Sequence, residues 1–491
     1  MVFALVVRRG EPVPDPGRRL WGGVALGALL VALAQTLSLA LMARSLDVAP
    51  DALLARLPAT QYFHAAMVRV LAAVLLGGLA VVVSRRPRAG RGLRLALVGS
   101  VVALAVSTAW TGHGAARLGD RSMLLLLSVL HQLAASVWVG GLVHLIVAVR
   151  GSDVAPAAAS VIVRRFSALA LVAVGGLIAG AVGLSIAYAD GPRGLIGTTY
   201  GLMVLTKIVL LGGLLALGGL NLVAIRDRPG APSPSLRRVM EVELGLGFTV
   251  LFAAASLTSL PPAVDVVADR AAPAEVLERF TPRWPSFTSP PIEAVPVDRE
   301  APRTDADRAW SEYNHHVSGL FVLVMGGLAL LARAGVRAAR HWPLLFVGLA
   351  AFMVVRSDPE AWPLGGQSFW AGMTDLEVSQ HRIFVLIVGA ALVEWMVRTG
   401  RLRAPGAALV FPLLCAVGGG LLLAHGHASQ DVKGAFLMEA THAPLGVLGL
   451  VVGWGRWLEI RLPPPASRLP GWLSASALTA VGVLLLLYRE S

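Results

Sequence analysis

Long apolar stretches alternate with short polar, arginine-bearing segments along the whole chain. The stretches run roughly 20–43, 62–84, 93–111, 122–149, 163–188, 200–225, 241–260, 313–332, 342–356, 381–398, 405–425, 435–456 and 471–488. Most approach the ~20 residues that a helix needs to cross a ~30 Å hydrocarbon core. The pattern predicts an all-α, polytopic transmembrane helix bundle of about thirteen spans. The ninth stretch is the shortest. The first, 20–43, is longer than the apolar core of a signal peptide, so it is expected as a retained helix. Glycine recurs throughout, as expected where helices pack closely in lipid.

Composition agrees. The chain is 56% hydrophobic and 14% charged, against roughly 25% charged for a soluble domain. The net charge of +13 does not point to nucleic acid, because the arginines form no single patch or stripe. They sit in clusters at alternate ends of the apolar runs: Arg85, Arg86, Arg88, Arg91 and Arg94; Arg226, Arg228, Arg237 and Arg238; Arg398, Arg401 and Arg403. The positive-inside bias then predicts an N-in, C-out topology, with the chain in a bacterial inner membrane. Stretch 261–310 contains nine prolines and no helical period, and is expected as an extended outer linker. It separates a seven-helix domain, 1–260, from a six-helix, histidine-rich domain, 311–491. The single cysteine, Cys415, excludes an intrachain disulfide and a cysteine-based metal site.

The eleven histidines are unevenly placed. In this topology only His144 and His341 lie near the inner face. Imidazole within or beside a span is costly without a partner, and it suits copper, zinc, iron and haem. His315 and His316 open one span, His381 opens another, His425 and His427 close a third, and His442 lies two turns into a fourth. These six are expected to converge on one outward-facing cup. Glu312 and Glu439 each sit three residues before a histidine and share its helix face. Met438 adds a soft thioether. His64, His113 and His131 form a second, thinner set. Histidines at helix ends are also commonly interfacial, bonded to water or backbone.

Other charges stand out against the apolar background. Lys207 lies two turns into a span, where a charge is expensive. Arg69 is equally deep and needs an acidic or carbonyl partner. Glu241 and Glu243 open the seventh span and are expected to be interfacial. Outer loop 357–380 carries Asp358, Glu360, Asp375 and Glu377, which can attract cations.

Five ordered motifs carry a resemblance. They are WTGHGAA at 110–116, LHQLAASVWVGGLVHL at 130–145, RRFSALAL at 164–171, GTTYGLMVLTKIVLL at 197–211 followed by Asn221, and the helix from Glu241 ending in SLPPA at 259–263. Over about 110–263 the chain resembles the CopD/PcoD copper-resistance family of inner-membrane proteins. The resemblance implies copper handling beside periplasmic copper-binding proteins, and singles out His113, His131, Trp138, Tyr200, Lys207 and Asn221. The six-helix half resembles extensions on longer CopD-like proteins. With no nucleophile elbow, phosphate loop or ATP motif, an ATP-driven pump is not expected; the leading reading is a copper transporter. The expected ligand is a copper ion captured by the histidine cluster, and the expected partners are the lipid bilayer and a periplasmic copper-binding protein. The alternative is a membrane redox protein holding b-type haem or a di-metal centre through the same histidines.

Overall fold

The protein is described here from a computed structural model. It covers Val7 and residues 17–46, 56–85, 90–150, 156–227, 234–258, 260–295, 304–374, 376–383, 386–424 and 431–490. The apolar runs form helices α1 (Gly17–Ser45), α2 (Gln61–Arg85), α3 (Arg91–Trp110), α4 (Arg121–Arg150), α5 (Pro156–Ala189), α6 (Thr199–Asp227) and α7 (Pro234–Ser256). They continue as α8 (Asp305–Arg333), α9 (Leu345–Arg356), α10 (Leu376–Ile383), α11 (Leu386–Arg398), α12 (Val410–Ala424), α13 (Val432–Arg461) and α14 (Arg468–Leu486). Leucine and alanine, which favour helix intrinsically, dominate these runs. Among the described residues no strand forms beyond an isolated bridge between Ala361 and Gln367.

Twelve helical segments among the described residues are long and apolar enough to cross a membrane. The ninth expected span is completed by a 3₁₀ turn, so that the segment runs Arg337–Arg356. The tenth expected span, 381–398, is described as α10 and α11, with residues 384–385 outside the described residues. Leu26, Leu29, Leu30 and Leu33 of α1 are each more than half exposed. Such a surface is stable against hydrocarbon rather than water. The chain is a multi-pass membrane protein.

The described residues fall into two compact units. The first takes in residues up to Tyr188 and Leu214–Phe248. In it α1 packs on α2, α2 on α3 and α3 on α4. Arg69, deep in α2, finds its partner on α1: its guanidinium donates to Gln35 Oε1 at 3.0 Å. A carbonyl oxygen thus meets the need that the sequence flagged. Gly180 lets α5 approach α4, since a Cβ there would lie 3.0 Å from His131 Cβ.

The second unit comprises Ala189–Gly213 and Thr249–Ser491. Helices α8 and α14 meet closely across Gly326 and Gly482, where an added Cβ would fall 2.5 Å from Thr479 Cα and 2.3 Å from Leu323 N. Gly453 of α13 plays the same part against Pro412 and Ala416 of α12. Small residues at these crossings let backbones touch, the principal source of packing where lipid supplies no hydrophobic drive. The core between them holds Met325, Trp342, Phe346, Phe411 and Leu478. The proline-rich stretch does not stay extended throughout. Its short helix Pro273–Arg279 packs Val276 against the buried Phe436, Leu437 and Ala440 of α13. An apolar side chain that can be buried against a neighbour overrides the absence of a long helical period.

Candidate functional site

Helix α8 begins with a capping box, in which Thr304 Oγ1 accepts from Asp307 N and Asp307 bonds back to Thr304 N. That fixed start sets Ser311, Glu312 and His315 on one helical face, spaced three and four apart. His315 Nδ1 lies 2.8 Å from Ser311 O, and His442 Nδ1 of α13 lies 2.8 Å from Met438 O. A carbonyl can only accept, so each Nδ1 carries the proton and each Nε2 the lone pair. The two rings meet edge to face, their centroids 5.8 Å apart.

Segment 488–490, beyond α14, closes over the pair. The Tyr488 ring stacks on His315 at 3.8 Å and meets His442 edge-on at 5.6 Å. Its hydroxyl donates to Glu490 Oε2 at 3.0 Å, and Ser311 Oγ donates to the same oxygen. Glu312 Oε1 accepts from Glu490 N at 3.2 Å. Arg489 binds Glu278 Oε1 at 3.0 Å. All three residues of the segment are buried.

The other expected donors are placed differently. His316 accepts from Ser286 N at Nδ1 (3.0 Å) and donates from Nε2 to Tyr488 O (2.9 Å). Both of its nitrogens are therefore occupied by backbone, which makes it a clamp. His381 Nδ1 pairs with Asp358 Oδ1 at 2.8 Å. Glu439 is buried on α13, and Met438 uses its carbonyl to orient His442. His425 and His427 lie outside the described residues. Among the described residues, no three His, Cys, Asp or Glu side chains gather closely enough to hold a metal. Among the described residues of the expected cup, His315 and His442 are brought into ring contact. In the other unit, His64 is exposed, His113 opens a 3₁₀ turn, and His131 Nδ1 bonds Leu177 O at 3.0 Å. Tyr200 is buried. Lys207 forms no ion pair among the described residues.

Glu243 was expected at an interface, but α7 begins at Pro234, so the residue lies well inside the helix. It is 5% exposed. Asn221 Nδ2 of α6 donates to Glu243 Oε2 at 2.8 Å, and the Trp138 indole of α4 donates to the same carboxyl. Trp138 and Asn221, which the resemblance singles out, are thus joined by a carboxyl that it did not.

Sequence reading also missed a buried ionic network in the six-helix half. Glu394 of α11 pairs with Arg398 at 2.6 Å and with Arg456 of α13 at 2.9 Å. Arg456 also pairs with Glu459 at 2.9 Å, and Glu459 with Arg333 of α8. The four- and three-residue spacings of Glu394–Arg398 and Arg456–Glu459 were visible signals. Of these residues Arg398 alone enters the sequence reading, as a topology marker. Tyr488 and Glu490 left no comparable signal.

Comparison with known proteins bears on the segment that holds Asn221 and Glu243. Residues 160–257 match the family described as Copper resistance protein D, CopD. Over 160 residues the chain is 32% identical to the Copper transport protein CutJ of Bacillus subtilis (strain 168). That alignment spans 32% of this chain and 29% of the relative. No solved structure matches. The family match lies on the helices that carry three of the five expected motifs, and over residues 160–257 the chain is similar to the CopD copper-resistance family.

Proposed function

We propose that the chain handles copper at the membrane, taking the ion at His315 and His442 and moving it as cargo. The single observation that carries this reading is the matched tautomer of the two rings. Each Nδ1–H is held by the carbonyl four residues back, which leaves Nε2 as the ligating nitrogen of each neutral ring. Such outer bonding fixes ring orientation and raises the basicity of imidazole ligands, and imidazole suits copper. The similarity of residues 160–257 to the CopD family and the likeness to a copper transport protein support the same cargo.

His425 and His427 are proposed as further donors, with Glu439, Met438 and His381 around them. A periplasmic copper-binding protein is the proposed partner, and N-in, C-out the proposed topology. Tyr200 and Lys207 are proposed to serve the same movement from the CopD segment. The arrangement favours an ion over haem. Bis-histidine haem ligation needs the rings on opposite faces of a porphyrin, whereas here they meet at 5.8 Å with Tyr488 stacked on one of them.

The test is copper content and visible absorption of the full chain purified in detergent and loaded with copper. Bound copper without a Soret band, lost when His315 and His442 are both replaced by Ala, is the expected result. Full copper content in that double variant, or a Soret band that the double variant abolishes, overturns the proposal.

A further inference from the structure

Glu243 sits eight residues beyond Ser235, where its membrane-capable segment begins, about 12 Å along the helix axis. A buried carboxyl within a membrane-capable helix is a functional hypothesis by default, because lipid and apolar side chains cannot solvate its charge. The usual solution is a buried cation. Here, among the described residues, no Lys, Arg or His forms an ion pair with it. The nearby charged or titratable groups have other partners or places. On α7 itself, Arg238 pairs with Glu241 at 2.9 Å and Arg237 stands in the first turns. On α4, His144 bonds its Nδ1 to Gly140 O at 2.7 Å. On α6, Arg226 and Asp227 lie at the helix end.

What meets the carboxyl instead is a pair of neutral donors, the Asn221 amide and the Trp138 indole. Two such bonds hold an anion in place but offset only part of the cost of burying it. A protonated carboxyl has the opposite need, an acceptor for its O–H. That acceptor is present. Asn221 Oδ1 is buried and has no hydrogen-bond partner among the described atoms, and a buried oxygen left unused calls for an explanation. Half a turn of the Asn221 amide about its last bond exchanges Nδ2 for Oδ1 in front of the carboxyl. One side chain thereby satisfies either protonation state, donating to the anion and accepting from the acid.

We propose that Glu243 is a proton-binding site within the membrane-spanning part of the CopD segment, with Asn221 as its two-faced partner and Trp138 as its fixed donor. The ligand is the proton itself. Binding it neutralises the buried charge, and releasing it restores an anion at the same place. A proton that enters and leaves here can balance the charge of a cation moved by the protein. The site goes beyond the copper reading and does not rest on it.

The test is infrared difference spectroscopy of the full chain in detergent, without copper, between acidic and alkaline pH. The wild type is expected to show a protonated-carboxyl C=O band that titrates away and shifts in D₂O. Glu243→Gln is expected to lose that band, and Glu243→Asp to keep a titrating one. Trp138→Phe removes one donor to the anion, so the midpoint should move towards alkaline pH by about one unit, a roughly tenfold change in proton affinity. The Trp138 variant retains the carboxyl and keeps the proposal open to refutation even if Glu243→Gln fails to fold. No band removed by Glu243→Gln, a band independent of pH, or an unmoved midpoint in Trp138→Phe overturns it.

Discussion

Replacing Glu394 by Gln is the most informative test of what holds the six-helix half together. The Glu394 side chain is fully buried and pairs with Arg398 at 2.6 Å and Arg456 at 2.9 Å. With charge centres about 4 Å apart and an effective dielectric near 20, each pair contributes roughly 4 kcal/mol of gross attraction. Desolvation offsets much of that sum. What the substitution leaves behind is decisive: Arg398 loses its carboxylate, and Arg456 retains only Glu459. Removing one partner of a buried pair typically costs about 3–5 kcal/mol, and that is the loss expected here. The assay is unfolding of the purified chain in detergent, by heat or by titration with a denaturing detergent. A double variant, Glu394→Leu with Arg398→Leu, should recover part of the loss, because it removes the stranded charge as well. If Glu394→Gln unfolds within about 0.5 kcal/mol of the wild type, the effect expected of an unremarkable surface site, the network does not hold these helices.

Two further predictions concern packing and pH. Gly326→Val would place a Cβ 2.5 Å from Thr479 Cα, whereas a Cβ at Gly327 meets nothing within 4 Å. The first variant should destabilise by at least the ~1–3 kcal/mol of an overpacked core, and Gly327→Val should change little; equal unfolding midpoints would refute the close α8–α14 crossing. Glu275 is held below its ordinary value by Lys433, whose Nζ lies 2.5 Å away, and by the Ala272 N–H. A depressed carboxyl stabilises above its unfolded value and loses that contribution as pH falls through the folded one. Hydrogen-exchange protection of the helix Pro273–Arg279, corrected for intrinsic rate, should therefore decline over that acidic window in the wild type and not in Glu275→Gln. Identical profiles would refute the linkage.

The candidate site was legible in kind more than in membership. His315 and His442 were marked by their place at one end of apolar spans and by residue type. The same marks fell on His316, whose nitrogens both go to backbone. One of those bonds reaches a carbonyl 172 residues away, so no local pattern distinguishes it from its neighbour. Glu243 was misread for a related reason. Its apolar run begins at 241, but the helix itself begins at Pro234, which places Glu243 well inside the helix rather than at its start.

The amino-acid sequence alone determines that this chain spans a membrane and is all-helical. Those properties depend on apolar run length and on local backbone hydrogen bonding, both written within about 20 consecutive residues. The five ordered motifs likewise carry the CopD resemblance without any coordinates. Only the tertiary structure decided that Tyr488 covers the His315–His442 pair, that Asn221 and Trp138 share the Glu243 carboxyl, and that Glu394 joins α11 to α13. Each of these depends on which helix face meets which neighbour. In lipid that choice is made by small-residue crossings and polar partners rather than by hydrophobic burial, and the apolar pattern along a single helix does not encode it.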